Sequence, residues 1–148
     1  MRVEAAMKTL FAWLEEHKDW TVEFLRMYLG LVLILKGIYF IRDMDQLLAL
    51  IGLSASIWVG GLFAHYIVLA HLLGGLFVIL GLITRYAVAA QLPILAGAVV
   101  IAYLREGWMA QTSNFEFTSL VFLLLVLFLF YGGGRLSVDY LLENARNR

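Results

Sequence analysis

The sequence predicts an all-α integral membrane protein: a four-helix bundle, preceded by an N-terminal interfacial amphipathic helix, with a short re-entrant or interfacial helix between spans one and two. Two observations carry this. Of 148 residues, 63% are hydrophobic and 15% charged, whereas a soluble domain carries about 45–50% apolar and about 25% charged residues. With a mean hydropathy of +0.88, the chain has more apolar surface than one small globule can hide. Second, the apolar residues gather into stretches of about 20, enough to cross a hydrocarbon core of about 30 Å. No linker or low-complexity tract interrupts them, so residues 1–148 read as one membrane domain.

Residues 2–20 place Val3, Met7, Leu10, Phe11 and Leu14 on one helical face and Glu4, Lys8, Glu15 and Asp19 on another. Trp13 and Trp20 suit the headgroup layer, so this helix is expected to lie on the membrane; packing on a partner is the alternative. The same charges interrupt any signal-peptide core. Span one is 22–41. Asp43 and Gln46 then form a helix-start pattern for Leu47–Val59, which is too short to cross and is broken by Gly60-Gly61. A fifth full span is the alternative. Span two is 62–83, span three 86–104, and span four about 115–131. The last is nearly charge-free, so much of its surface should face lipid. The tight Thr84-Arg85 link makes spans two and three antiparallel neighbours. Gly132, Gly133 and Gly134 end span four, and Ser137 or Asp139 can cap a final amphipathic helix, 138–144.

Basic residues set the orientation. Arg2, Lys8, Lys18, Arg26, Arg85, Arg135, Arg146 and Arg148 fall on the N-terminal side, against Arg42, Arg105 and Lys36 on the other. Both termini are therefore expected in the cytoplasm. The formal net charge of zero gives no footprint for nucleic acid. The absence of cysteine removes disulfides, thiol redox chemistry and Cys-ligated metal centres.

Inside hydrocarbon, the polar side chains are the informative ones. Lys36 either sends its stem toward the headgroups or faces the bundle interior, where it needs a partner or an anionic ligand. Glu116, at the mouth of span four, is a candidate partner for Lys36 or Arg42. Arg26 can pair with Glu23 one turn earlier. Arg135 and Asp139 stand four apart as a further candidate ion pair. His71 falls near mid-membrane on a stripe with Gly74 and Gly75. It can bond a backbone carbonyl, meet a quinone headgroup, or, on the weakest reading, ligate a haem. His65 and His71 lie about 120° apart on the helix, which disfavours a shared metal. Pro93 should kink span three and free a carbonyl near Ala89, which Gln91 could satisfy unless it reaches His71.

The segments FLRMYLGLVLILKGIYF, HLLGGLFVILGLITRYA and NFEFTSLVFLLLVLFLFYGGGRLSVDYLL resemble the DoxX family of small four-helix membrane proteins, from about residue 24 to 142. The glycine-rich turn followed by Ser-Val-Asp is the most specific piece. The pattern positions that carry over are Arg26, Gly30, Lys36, Gly37, His71, Gly74, Gly75, Gly81, Arg85, Glu116, Gly134, Ser137 and Asp139; glycine dominates them, which suggests packing more than catalysis. The resemblance implies a bacterial cytoplasmic membrane. It also implies membrane redox work, since relatives include a subunit of a thiosulfate:quinone oxidoreductase.

Three functions follow as expectations. The first is a quinone-interacting subunit accessory to a membrane oxidoreductase or respiratory complex. Lys36, His71, Arg26, Tyr39 and Gln91 are its candidate donors, and the electrons come from other membrane or peripheral subunits. The second is a structural or assembly subunit without chemistry, packed against such partners or a second copy. The third is a small transporter, with Pro93 and the broken segment lining a cavity.

Overall fold

The structure, a computed structural model, describes residues 7, 18–51, 57–107, 114–134 and 137–146. Among the described residues it is built of helices: α1 (Lys18–Arg42), α2 (Met44–Ile51), α3 (Ile57–Leu80), α4 (Thr84–Glu106), α5 (Asn114–Tyr131) and α6 (Val138–Arg146). Four of them are long and apolar enough to cross a membrane, over Trp20–Arg42, Gly60–Leu80, Thr84–Arg105 and Asn114–Tyr131. The expected interfacial helix at 2–20 lies outside the described residues, apart from Met7 and the 18–20 segment that opens α1.

The spans pack as an arc rather than a closed ring. α1 packs extensively on α3, α3 on α4 and α4 on α5, while α1 and α5 meet only slightly. The tightest crossing is α1 with α3, and glycine makes it possible. A Cβ at Gly30 would stand 2.6 Å from the Gly75 carbonyl, and one at Gly75 would stand 2.7 Å from the Gly30 carbonyl. Two backbones in near contact are the small-residue mode of membrane helix packing. Leu29, Leu33, Val78, Val88, Leu125 and Phe128 fill the core beside it. Outward, Leu62, Leu69, Leu123, Leu127 and Phe130 are exposed, the reverse of a soluble protein and what hydrocarbon solvent requires.

Two boundaries differ from expectation. Gly60-Gly61 does not break the chain: both lie inside α3. With no aqueous alternative, backbone hydrogen bonding within a helix outweighs glycine's entropy at that depth. At its other end α3 stops at Leu80, three residues early. Gly81 takes a left-handed φ of 66°. The Leu82 N–H then reaches the Phe77 carbonyl at 3.0 Å and the Gly81 N–H the Val78 carbonyl at 3.3 Å, a Schellman closure. Ile83 follows with φ 43°, a conformation β-branched residues seldom adopt. The expected helix start at Asp43 holds, since its carboxylate accepts the Gln46 N–H at 3.2 Å. α2 runs Met44–Ile51, and residues 52–56 fall outside the described part of the chain.

Candidate ligand cavity and the polar knot at the opposite end

At the α2 end of the bundle, a cavity of about 580 Å³ opens between the four spans. Lys36 and Phe40 enter it from α1, Leu47 from α2, His71 from α3, Pro93, Gly97 and Arg105 from α4, and Phe117 and Val121 from α5. Its volume falls within the roughly 300–1,000 Å³ of small-molecule sites, and a mostly apolar wall with few polar groups is their usual make-up. A Cβ at Gly97 would meet nothing within 4 Å, so the glycine widens the space instead of admitting a neighbouring helix.

Lys36 lies six residues before the end of α1, about 9 Å along the axis. Its side chain reaches one turn further toward that end. Nζ stands 5.2 Å from the Tyr39 ring centroid and 5.3 Å from that of Phe40. The aromatic faces give the exposed ammonium cation–π contacts. His71 is 3% exposed. Its Nδ1 is 2.8 Å from the Ile67 carbonyl; a carbonyl can only accept, so Nδ1 carries the proton and Nε2 of the neutral ring is an acceptor. The His71 ring meets Phe40 edge-on, with centroids 5.4 Å apart at 82°. Ammonium and imidazole thus flank one phenyl ring.

α2 is strapped over this end. Tyr39 Oη donates to Gln46 Oε1 at 2.6 Å, and Arg105 Nη2 donates to the Ala49 carbonyl at 3.0 Å. In the sequence Arg105 marks orientation alone; its place at the cavity emerges only in the fold. The signal available was the small-residue run Ala96-Gly97-Ala98 one turn after Pro93.

Other candidate residues stand elsewhere. Gln91, fully buried, donates to the Ala70 carbonyl at 2.5 Å; it serves neither Ala89 nor His71. Tyr66 bonds the next carbonyl along, its hydroxyl donating to that of Ala90 at 3.1 Å. His65 bonds the Gly61 carbonyl at 2.7 Å and is not a cavity residue. Glu116 is exposed in the first turn of α5, and Lys36 meets rings rather than this carboxylate.

Arg26 is at the far end, in a buried knot. It pairs with Glu23 at 2.8 Å and donates to the Gly133 carbonyl. Asp139 accepts the Ile83 N–H at 2.7 Å and the Thr84 N–H at 3.1 Å. Arg135 lies outside the described residues. A remote carboxylate thereby caps α4, satisfying N–H groups that a helix start leaves without partners and offsetting the backbone cost at Ile83. The cap of α6 is Ser137, whose Oγ accepts the Tyr140 N–H at 3.1 Å. The Asp139 N–H donates to the Gly81 carbonyl at 3.0 Å, and Arg85 donates to the Phe130 carbonyl at 3.3 Å.

The DoxX family profile matches residues 21–104, more than half of the chain. The chain belongs to the DoxX family. No curated protein and no solved structure matches it. The matched stretch runs from α1 through α4 and so contains the glycine crossing, Lys36 and His71. The DoxX pattern positions read from the sequence divide between the two ends: Lys36 and His71 at the cavity, and Arg26, Gly81, Arg85, Ser137 and Asp139 in the knot.

Proposed function

We propose that this DoxX-family chain is a membrane subunit that binds a quinone headgroup in the α2-end cavity and serves a partner oxidoreductase. The observation that carries the reading is the pair of complementary polar groups flanking Phe40. A quinone presents two ring oxygens on a flat apolar body. Lys36 can donate to one of them, and in the reduced, quinol form His71 Nε2 can accept from the ring hydroxyl. Phe40 offers its face to the ring, and Leu33, Ile94 and Val121 exclude water. When bound, the quinone would supply two-electron chemistry; the partner supplies or takes the electrons. His71 holds its Nε2 lone pair in place because Nδ1–H is fixed to Ile67, as backbone-anchored imidazoles do.

The test is binding of a short-chain quinol, the reduced form that carries ring hydroxyls, to the protein in lipid nanodiscs. Wild type is expected to bind saturably, with affinity falling about tenfold or more in Lys36→Ala/His71→Leu, the scale of losing one charged and one neutral hydrogen bond. Equal affinity in the two proteins would overturn the reading.

A further inference from the structure

The charge balance of the cavity is one-sided. Among the described residues that line it, the charged ones are Lys36 and Arg105, and the other titratable groups are His71 and Tyr39; no carboxylate is among them. Lys36 has aromatic rings as its neighbours and no acidic partner among the described residues. Arg105 spends one N–H on the Ala49 carbonyl, leaving donors on a guanidinium that has five. Glu116 and Asp45 are exposed, and the Asp43 carboxylate is engaged with the Gln46 N–H. By contrast, the arginine of the knot has a carboxylate at 2.8 Å. The fold therefore neutralises a buried cation where stability alone is at stake and leaves two unneutralised around the empty space. Lys36 and Arg105 both line the cavity and are exposed, so their charges are open to an anionic guest, which gains charge-assisted contacts there.

We propose that the cavity selects an anionic headgroup, namely a quinone carrying an ionised ring hydroxyl, over a neutral quinone of the same shape. This rests on the quinone reading above. Lys36 supplies the charge-assisted contact at the ring oxygen, Arg105 raises the potential at the mouth, and Phe40 holds the ring between them.

The experiment compares an alkylated 2-hydroxy-1,4-naphthoquinone, ionised at neutral pH, with its 2-methoxy analogue, which stays neutral. Each is titrated into nanodiscs of zwitterionic lipid containing the full chain. The expected result is about tenfold or more tighter binding of the hydroxy compound, the scale of one hydrogen bond to a charged group. That preference is retained in Lys36→Arg and lost in Lys36→Met, where both compounds bind more weakly and the hydroxy compound loses more. Equal binding of the two compounds to wild type overturns charge selection and leaves the quinone reading standing, as does a preference that survives Lys36→Met. Binding of neither compound overturns both.

Discussion

At the scale of single residues, the two cations of α1 have opposite fates. Arg26 is 2% exposed and Glu23 3%, so their pair lies in a dry setting. Removing one member of a buried pair leaves the other uncompensated, at a cost of about 3–5 kcal/mol, whereas replacing both can be nearly neutral. Arg26→Met should therefore lower the thermal midpoint in detergent sharply, and Glu23→Gln/Arg26→Met should recover much of the loss. An equal midpoint for the single and double variants would refute this account. Lys36→Met should leave the midpoint unchanged or raise it, because the ammonium meets no carboxylate; its effect should be confined to ligand binding. The pairing of Arg26 with Glu23 was legible from their three-residue spacing. Which cation would face open space was not, because periodicity does not fix the rotation of α1. The role of Gln91 was hidden for the same reason: the carbonyl it reaches, Ala70, belongs to another helix.

At the scale of elements, the glycines fall into classes that composition alone cannot separate. Gly30 and Gly75 stand at backbone contact, whereas a Cβ at Gly61 would meet nothing within 4 Å. Gly30→Ala should destabilise by about 1–3 kcal/mol through overpacking. Gly61→Ala should be neutral or stabilising by about 0.5–1 kcal/mol, the helix-interior difference between the two residues. Thermal unfolding of both variants in one detergent checks the contrast, and similar shifts would remove the distinction. The glycine-rich pattern positions predict close packing, which holds for Gly30, Gly37 and Gly75. A break at Gly60-Gly61, by contrast, follows from a rule suited to water, and the helix runs through both. Long apolar periodic segments were legible because length and hydropathy suffice to define a span. The helix ends were less so, because the one at Leu80 depends on the left-handed turn at Gly81, and the start of α4 depends on a carboxylate 55 residues away.

At the scale of the whole molecule, the bundle has two chemically distinct ends joined by an apolar middle. The knot ties α6 to the α3–α4 turn, and the cavity occupies the opposite end. Distant sites without shared partners should behave additively. Asp139→Ala removes the acceptor for two α4 N–H groups and should cost about 1–2 kcal/mol, the scale of a lost helix cap. Hydrogen exchange should quicken at 82–87, while binding in the cavity should be unchanged. Weakened binding in that variant, with the α2 end otherwise intact, would mean that the two ends communicate. The fold class was legible in full, since it follows from solvent and length. The cavity was legible only as its scattered contributors Lys36, Tyr39 and His71, because its shape depends on how α2 and α4 approach each other.

The slight contact between α1 and α5 sets how a guest would arrive. A closed ring would make a bound molecule pass through its rim, from water. An arc with one weak seam offers a doorway toward the bilayer interior, so a long-tailed guest can slip in sideways while its tail remains among the acyl chains. Traffic would then be two-dimensional, governed by lateral diffusion and by how often the seam parts. Because the chain has no cysteine of its own, a pair of them introduced across that seam can be bridged selectively. Such a staple should slow loading and unloading together and leave the equilibrium occupancy almost untouched.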